Sequence, residues 1–293
     1  MPDPLWNFAL LDEEDRRYET ARAVVLPLPF ERTTSYGKGT AAGPEAIVRA
    51  SHYLETYDEE IHSEPFRQGI HTATPFVPQA LDLTEALAEV ETEALRYLID
   101  GKFLAALGGE HSLTHPLARA MRTVWDEVGV VQFDAHADLR ESYEGTPHSH
   151  ASVMHRVVAD GFPTLALGIR SLSTPEAEMV RTIPLPVVWG HELERLTPDH
   201  FAELLAPLPE RVYLTFDLDY FDPALIPATG TPEPGGGWWY PTLALLRTLF
   251  RRKRVVSMDV VELAPLAGLP ASDFLAAKLV YKCLGYLQEA EAS

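Results

Sequence analysis

Residues 128–138 read VGVVQFDAHAD. The first part, 128–133, is mostly apolar, as in a strand that is buried on both faces of a parallel sheet. In open α/β sheets, ligands bind beyond the carboxyl ends of the strands. Asp134, His136 and Asp138 follow this strand at every second position, so an extended chain places their side chains on one side. The segment therefore predicts an α/β sheet with a polar site at its edge.

Other short apolar runs alternate with amphipathic stretches along the chain, a pattern that is typical of a mainly parallel sheet covered by helices on both faces. The predicted strands are 23–28, 103–107, 128–133, 164–167, 187–189, 212–216 and 255–258. The clearest predicted helices are 84–99, 113–124, 152–159, 242–250 and 271–287. There is no internal repeat and no Ser/Gly-rich linker. We therefore predict one domain over residues 1–293.

The composition excludes several classes of protein. Apolar residues make up 46% of the 293 residues and charged residues 23%, as in a globular protein with a sizeable core. A formal charge of −19 disfavours binding of nucleic-acid phosphates and favours cationic partners, although it also fits a solvated acidic surface. We expect no nucleic-acid partner and a small cationic substrate.

No membrane segment or secretory signal is evident in the sequence. Residues 1–8 lack a basic and apolar leader pattern, and no apolar run approaches the roughly 18 residues of a membrane span. Cys283 is the only cysteine and lies in an apolar helical pattern, so we interpret it as a core residue. These features predict a cytoplasmic protein that does not bind membranes.

Two further strands are followed by polar residues of the same kind. The strand ending at Leu107 runs into GGEHS at 108–112, where glycines allow a tight turn and His111 can point across the strand ends. The strand ending at Phe216 is followed by Asp217 and Asp219, again at every second position. Either segment alone could be a cap or turn, but three such segments at one edge indicate a metal site.

The number and type of these side chains indicate two metal ions. Four aspartates at one sheet edge repel each other strongly unless a cation compensates them. Six ligands are too many for one tetrahedral zinc, whereas they suit two ions that share carboxylates. Calcium prefers oxygen-rich sites without histidine, so manganese fits best, with zinc, cobalt or iron as alternatives. The predicted ligands are His111, Asp134, His136, Asp138, Asp217 and Asp219.

The chain resembles the ureohydrolase family of arginases and agmatinases, and it is most similar to the bacterial agmatinases within it. Three motifs carry the resemblance: GGEHS at 108–112, DAHAD at 134–138 and DLDYFDP at 217–223, the last continuing through Pro227, Ala228 and Gly236. Residues 34–44 and 257–265 also match, so the resemblance spans nearly the whole chain. It implies a three-layer α/β/α arginase-like fold with a central, mainly parallel sheet. It also implies two Mn²⁺ per subunit and a homotrimer or homohexamer.

The resemblance also implies a role for each metal ligand. Asp134 and Asp217 would bridge the two ions. His111 and Asp138 would complete one ion. His136 and Asp219 would complete the other. Asp138 would also orient the nucleophilic hydroxide.

Two more residues acquire roles from the resemblance. Glu262 would bind the substrate guanidinium, and its alternative interpretation is a structural glutamate near a strand end. His150 would contact the substrate and protonate the departing amine, with His148 as its rival because alignment through this loop can slip. The implied reaction is agmatine to putrescine and urea, a step of polyamine biosynthesis.

The choice of guanidino substrate depends on two loops. The segment 139–145, LRESYEG, differs from the arginase pattern, and 230–236, GTPEPGG, resembles the agmatinase loop. Glu141 or Glu144 could attract a distal ammonium. Arg140 could instead bind a carboxylate, as a 4-guanidinobutyrate enzyme would require.

Three other functions are alternatives to an agmatinase for this sequence. An arginase is a further alternative within the family. A metal-dependent deacetylase would use one zinc, and a non-catalytic binding protein on the same fold would usually have lost metal ligands.

Overall fold

Eight parallel strands form one sheet in this computed structural model, which describes residues 5–292. Residues 1–4, which are part of the segment predicted to lack a signal, lie outside the described residues. The strands are β1 (Ala23–Leu28), β2 (Ile70–Thr72), β3 (Phe103–Gly108), β4 (Gly129–Phe133), β5 (Thr164–Ile169), β6 (Val187–Trp189), β7 (Arg211–Asp217) and β8 (Arg254–Val261). Their order across the sheet is β2-β1-β3-β8-β7-β4-β5-β6.

Helices cover both faces of this sheet. They are α1 (Gly43–Ser51), α2 (Leu83–Ile99), α3 (Thr114–Val124), α4 (Val153–Ala159), α5 (Thr174–Thr182), α6 (Pro198–Leu205), α7 (Trp239–Arg252) and α8 (Ala271–Ala292). Alternate side chains of each strand enter two separate hydrophobic clusters. Val25 and Phe133 pack on the face that α1, α6, α7 and α8 cover, and Val24 and Val130 pack on the face of α2, α3 and α4. The predicted three-layer α/β/α fold with a parallel sheet is confirmed.

All seven predicted strands are present, and β2 is an eighth that the sequence did not reveal. It is a three-residue edge strand that pairs only with β1. Helices α1, α5 and α6, of eight or nine residues each, were not among the clearest predicted helices. Cys283 is fully buried in α8, as its apolar surroundings indicated. No helix in the described part of the chain has both the length and the apolar character needed to cross a membrane.

Candidate metal centre

The predicted site residues follow four strands that are neighbours in the sheet. Strands β3, β8, β7 and β4 lie side by side in that order. The chain order reverses here, since β3 and β4 are consecutive in sequence but β8 and β7 separate them, and such a switch point is where α/β sheets form a cleft. The predicted ligands and Glu262 all follow these four strands. The sheet topology thus brings together residues that are up to about half the chain apart.

His111 reaches this edge through a turn that requires glycine. A Cβ atom on Gly109 would lie only 2.0 Å from the carbonyl oxygen of Phe30, so any other residue would displace the backbone. The turn leads into a short 3₁₀ segment, His111–Leu113, and then into α3. The His111 side chain is fully buried at the sheet edge.

Three carboxylates surround one nitrogen of His111. Its Nδ1 lies 3.1 Å from Oδ2 of Asp134, 3.1 Å from Oδ2 of Asp138 and 3.3 Å from Oδ2 of Asp217. This nitrogen is buried and makes no hydrogen bond within the described chain. An imidazole nitrogen that faces three buried carboxylate oxygens is a donor set for a divalent cation.

A second group of potential ligands shares Asp134 with the first. His136 Nδ1 lies 2.9 Å from Oδ2 of Asp219 and 3.8 Å from Oδ1 of Asp134. Ligand atoms of His111, Asp134 and Asp217 lie close enough to hold one ion, and those of Asp134, His136 and Asp219 could hold another. Asp217 is next to the second group, because its Oδ1 accepts a hydrogen bond from the Asp219 backbone N–H at 2.9 Å.

The electrostatics of this cluster are those of crowded, buried acids. Burial, together with the charges of Asp138 and Asp219, raises the pKa of Asp134 to about 7. Burial and the charges of Asp219 and Asp134 also raise the pKa of Asp217 well above its ordinary value. Burial lowers the pKa of His111, but the adjacent carboxylates outweigh it and hold that pKa well above its ordinary value. Bound cations would relieve this repulsion, so the residues present fit a metal centre.

A layer of buried hydrogen bonds orients His111. Its Nε2 lies 2.9 Å from Oγ1 of Thr215, and that hydroxyl donates to Oδ1 of Asp259 at 2.8 Å. Thr114 also donates to Asp259, at 2.7 Å, and so does the Tyr213 hydroxyl. These hydrogen bonds place the ring proton of His111 on Nε2 and leave its Nδ1 free for a metal.

Two of the predicted site residues have an uncommon backbone conformation. The φ angle of Asp138 is 52° and that of Glu262 is 67°, both in the left-handed region that side chains other than glycine rarely adopt. Backbone strain of this kind clusters at functional sites, where the surrounding structure maintains it. The Glu262 carboxylate lies beside the predicted ligands, because its Oε1 accepts a hydrogen bond from the His111 N–H at 2.6 Å.

Five of the six predicted ligands, all except Asp134, line an open cavity of about 340 Å³. His111, His136 and His150 are the histidines that line it among the described residues. The His150 ring is held by three hydroxyl groups, with Thr33 Oγ1 3.2 Å and Ser149 Oγ 3.3 Å from Nδ1 and Ser35 Oγ 3.4 Å from Nε2. His148, the rival proton donor, does not line the cavity.

The acidic loop after the second motif does not bring its glutamates to the cavity. Glu141 and Glu144 are exposed and do not line it, contrary to the hypothesis that either attracts a substrate ammonium. Arg140 does line it, with its guanidinium 5.0 Å from the centre of the Tyr143 ring. Tyr143 of the same loop also lines the cavity, so the loop stays beside it while these two glutamates turn outward, and a sequence pattern does not encode that direction.

Sequence reasoning missed several residues that support or line the site. Thr215 and Asp259 are polar residues inside otherwise apolar strands, and that contrast is a signal that could have identified them. Glu110 is fully buried, and its carboxylate accepts hydrogen bonds from Thr33, Ser112 and the Arg32 backbone. Glu233 lines the cavity, although the sequence gives it no distinguishing feature beyond its loop.

Comparisons with known proteins agree on one family. The model of the family described as "Arginase family" matches residues 21–285. An N(1)-aminopropylagmatine ureohydrolase of Synechocystis sp. is 43% identical over 281 residues, which cover 94% of this chain and 92% of that protein. An agmatinase of Pyrococcus horikoshii is 33% identical, covering 89% and 90% of the two chains. The solved agmatine ureohydrolase of Thermoplasma volcanium aligns with a TM-score of 0.85 at 30% identity, covering 94% of this chain and 93% of that one.

Proposed function

This chain belongs to the arginase family, and we propose that it cleaves urea from a linear guanidino-amine at a two-metal centre. The predicted family and the predicted enzyme class, a ureohydrolase acting on guanidino C–N bonds, are confirmed. One observation carries the proposal about the site. Two groups of potential metal ligands share Asp134, and their other members line a cavity that Glu262 also lines.

The six predicted ligands are proposed to hold two Mn²⁺. Asp134 belongs to both groups, which supports its role as a bridge. Asp217 belongs to the first group and contacts Asp219 of the second, which supports it as the second bridge. His111 and Asp138 would complete one ion, and His136 and Asp219 the other. When bound, two such cations act as Lewis acids that make water a nucleophile at neutral pH.

Glu262 is proposed to bind and orient the guanidinium. Its Oε1 accepts a hydrogen bond from the His111 N–H, which leaves Oε2 to pair with the guanidinium. Burial raises the pKa of Glu262 to about 8, and a cationic guanidinium beside it would favour the ionised form. This pairing also holds the substrate carbon in one orientation for attack.

His150 is proposed to handle the proton that the reaction requires. Attack on the central carbon gives a tetrahedral intermediate, and its C–N bond breaks when the departing amine takes up a proton. His150 lines the cavity and is held by hydroxyl groups on both ring nitrogens, which supports this role over His148.

Agmatine is the first substrate candidate and N1-aminopropylagmatine the second. Two of the proteins compared above are named for agmatine, which matches the prediction from the loop at 230–236. The relative from Synechocystis sp., which is more identical to this chain, is named for N(1)-aminopropylagmatine. Both molecules carry a guanidinium at one end and an ammonium beyond a four-carbon chain.

A urea assay tests the proposal. Purified protein loaded with manganese is offered agmatine, N1-aminopropylagmatine, arginine, 4-guanidinobutyrate and 3-guanidinopropionate at matched concentrations. The proposal requires that one of the two guanidino-amines gives the highest kcat/KM. Arginine or a guanidino acid as the best substrate would refute the substrate class. Amide hydrolysis with one tightly bound zinc and no urea would instead favour the deacetylase alternative.

The remaining predictions concern the whole protein. We propose one ureohydrolase domain over residues 1–293, which the continuous sheet and the match over 21–285 support. A cytoplasmic location and a homotrimer or homohexamer stay predictions.

A further inference from the structure

We propose that Glu233 binds the distal ammonium of the substrate and so selects guanidino-amines over other guanidino compounds. This assignment rests on the proposed function and adds the residue that recognises the end of the substrate far from the reaction.

Each of the other carboxylates that line the cavity already has a role or a full set of partners. The six lining carboxylates are Asp138, Glu176, Asp217, Asp219, Glu233 and Glu262. The three aspartates are predicted metal ligands, and Glu262 is assigned to the guanidinium. This leaves Glu176 and Glu233 for the distal end.

Glu176 is committed to the protein backbone. Its Oε1 accepts a hydrogen bond from the Leu139 N–H at 3.0 Å. Its Oε2 accepts from the N–H of Ser173 at 2.7 Å and from the Ser173 hydroxyl at 2.6 Å, which forms the capping box of α5. Both oxygens are therefore used to hold two chain segments together.

The carboxylate of Glu233 uses only one of its two oxygens in hydrogen bonds within the described residues. Its Oε1 accepts a hydrogen bond from the Ser171 hydroxyl at 3.0 Å, and its Oε2 has no partner within residues 5–292. No positively charged group in that part of the chain forms an ion pair with this carboxylate. The side chain is half-buried, so the charge is partly desolvated and a cation in the cavity would stabilise it.

The backbone of Glu233 is held firmly in place. Arg170 donates to its carbonyl oxygen at 2.8 Å and to the carbonyl oxygen of Asp219 at 2.7 Å. One guanidinium thus ties the Glu233 loop to the loop of a predicted metal ligand. A binding carboxylate on so restrained a loop is preorganised for its ligand.

The chain limits how far Glu233 can lie from the guanidinium position beside Glu262. A Cβ atom on Gly230 would lie 3.9 Å from Oε2 of Glu262, so Gly230 borders the place assigned to the guanidinium. Glu233 is three residues further along the chain, and three residues span at most about 11 Å. Both Glu233 and Glu262 line the same cavity, so the two carboxylates belong to one site that a guanidino-amine can occupy.

The positive charge of Arg140 does not cancel this site. Its guanidinium stacks near the Tyr143 ring, 5.0 Å from the centroid, and its Nε lies 3.9 Å from the Glu176 carboxylate. Arg140 therefore already has an acidic neighbour and an aromatic face, whereas Glu233 has no cation. Among the described residues, the negative charge of Glu233 therefore stays without an ion-pair partner in this cavity.

The test compares agmatine with butylguanidine, which has the same four-carbon chain without the ammonium. In Glu233→Gln we expect kcat/KM for agmatine to fall about 10- to 100-fold, mainly through KM, the loss expected for one charge-assisted hydrogen bond. The same variant should leave kcat/KM for butylguanidine within about twofold of the wild-type value. Glu144→Gln is the matched control, since it removes the same charge from an exposed residue outside the cavity, and it should change neither substrate.

Wild-type protein gives an independent readout if the variant does not fold. Wild type should prefer agmatine over butylguanidine by about 10- to 100-fold in kcat/KM. An unchanged KM for agmatine in Glu233→Gln, or an equal loss on both substrates, would overturn the inference while leaving the proposed function intact. Absence of urea from every guanidino compound in wild type would overturn the proposed function itself.

Discussion

Nε2 of His111 lies 2.9 Å from Oγ1 of Thr215, and both groups are buried. Because the Thr215 hydroxyl donates onward to Asp259, it accepts the imidazole proton, and Nδ1 is left to face the carboxylates. A buried hydroxyl on β7 and a carboxylate on β8 thus determine which nitrogen of a histidine after β3 is available to a metal. Second-layer contacts of this kind orient metal ligands and tune their affinity.

Removing the Thr215 hydroxyl should therefore weaken metal binding. We expect Thr215→Val to lower manganese affinity about 10- to 100-fold, with activity recovering at high manganese concentration. Titration of the metal-free variant with manganese measures this. Thr164→Val is the control, because it also removes a buried strand hydroxyl, but one that bonds to the Phe162 carbonyl at the opposite end of the sheet. Equal manganese affinities in the two variants would contradict the role of Thr215.

Substitution of His150 and of His148 shows which of the two histidines supplies the proton. We expect His150→Asn to lower kcat about 10²- to 10⁴-fold with little change in metal content, since it removes a proton donor. His148→Asn should retain nearly full kcat, because that side chain lies outside the cavity. Steady-state kinetics with metal analysis checks both variants. The reverse pattern would transfer the proton role to His148.

Thr33 connects a buried carboxylate to His150. Its hydroxyl lies 2.7 Å from Oε1 of Glu110, and it accepts a hydrogen bond from the His150 N–H at 2.9 Å. We expect Thr33→Val to lower kcat about tenfold and to alter the pH profile of kcat, because the His150 ring loses its orientation. Thr33→Ser keeps the hydroxyl and should restore both. If Thr33→Ser is as impaired as Thr33→Val, the hydroxyl is not what positions His150.

The stability of the metal-free protein should depend on pH in a defined direction. Burial raises the pKa of Asp134 from 3.8 to about 7 and that of Glu262 from 4.5 to about 8. A raised folded-state pKa contributes stability that is present below the unfolded value and is lost as the pH rises through the folded value. The melting temperature of chelated protein should thus fall between about pH 5 and pH 8.

Bound manganese should reverse this fall in melting temperature with rising pH, because the cations favour the ionised carboxylates and bind only the folded chain. Thermal unfolding with chelator and with excess manganese, across the same pH range, provides the comparison. Parallel curves under the two conditions would show that these carboxylates do not face a metal.

The sheet could be predicted from the sequence because most of its strands are buried on both faces. Strands β1 and β6 have the predicted bounds, and most others differ by a few residues at their ends. The edge strand β2, Ile70–Thr72, has only three residues and forms because β1 offers it a free edge. A local pattern of three residues carries too little information to predict that pairing.

The candidate site was only partly predictable. His111, Asp134 and Asp217 follow apolar strands in short motifs, so their shared position follows from the parallel sheet. Glu233 depends on where a loop folds over the cavity, and Glu141 shows that a nearby loop turns its acidic side chain outward. Such directions come from long-range packing rather than from the local sequence.

The most direct test of the two-metal ureohydrolase is a manganese titration of metal-free protein, with urea release from agmatine or N1-aminopropylagmatine as the readout. We expect that urea release is absent without metal and reaches its maximum at two manganese ions per chain. Full activity with one ion per chain, or no urea at any manganese concentration, would contradict it.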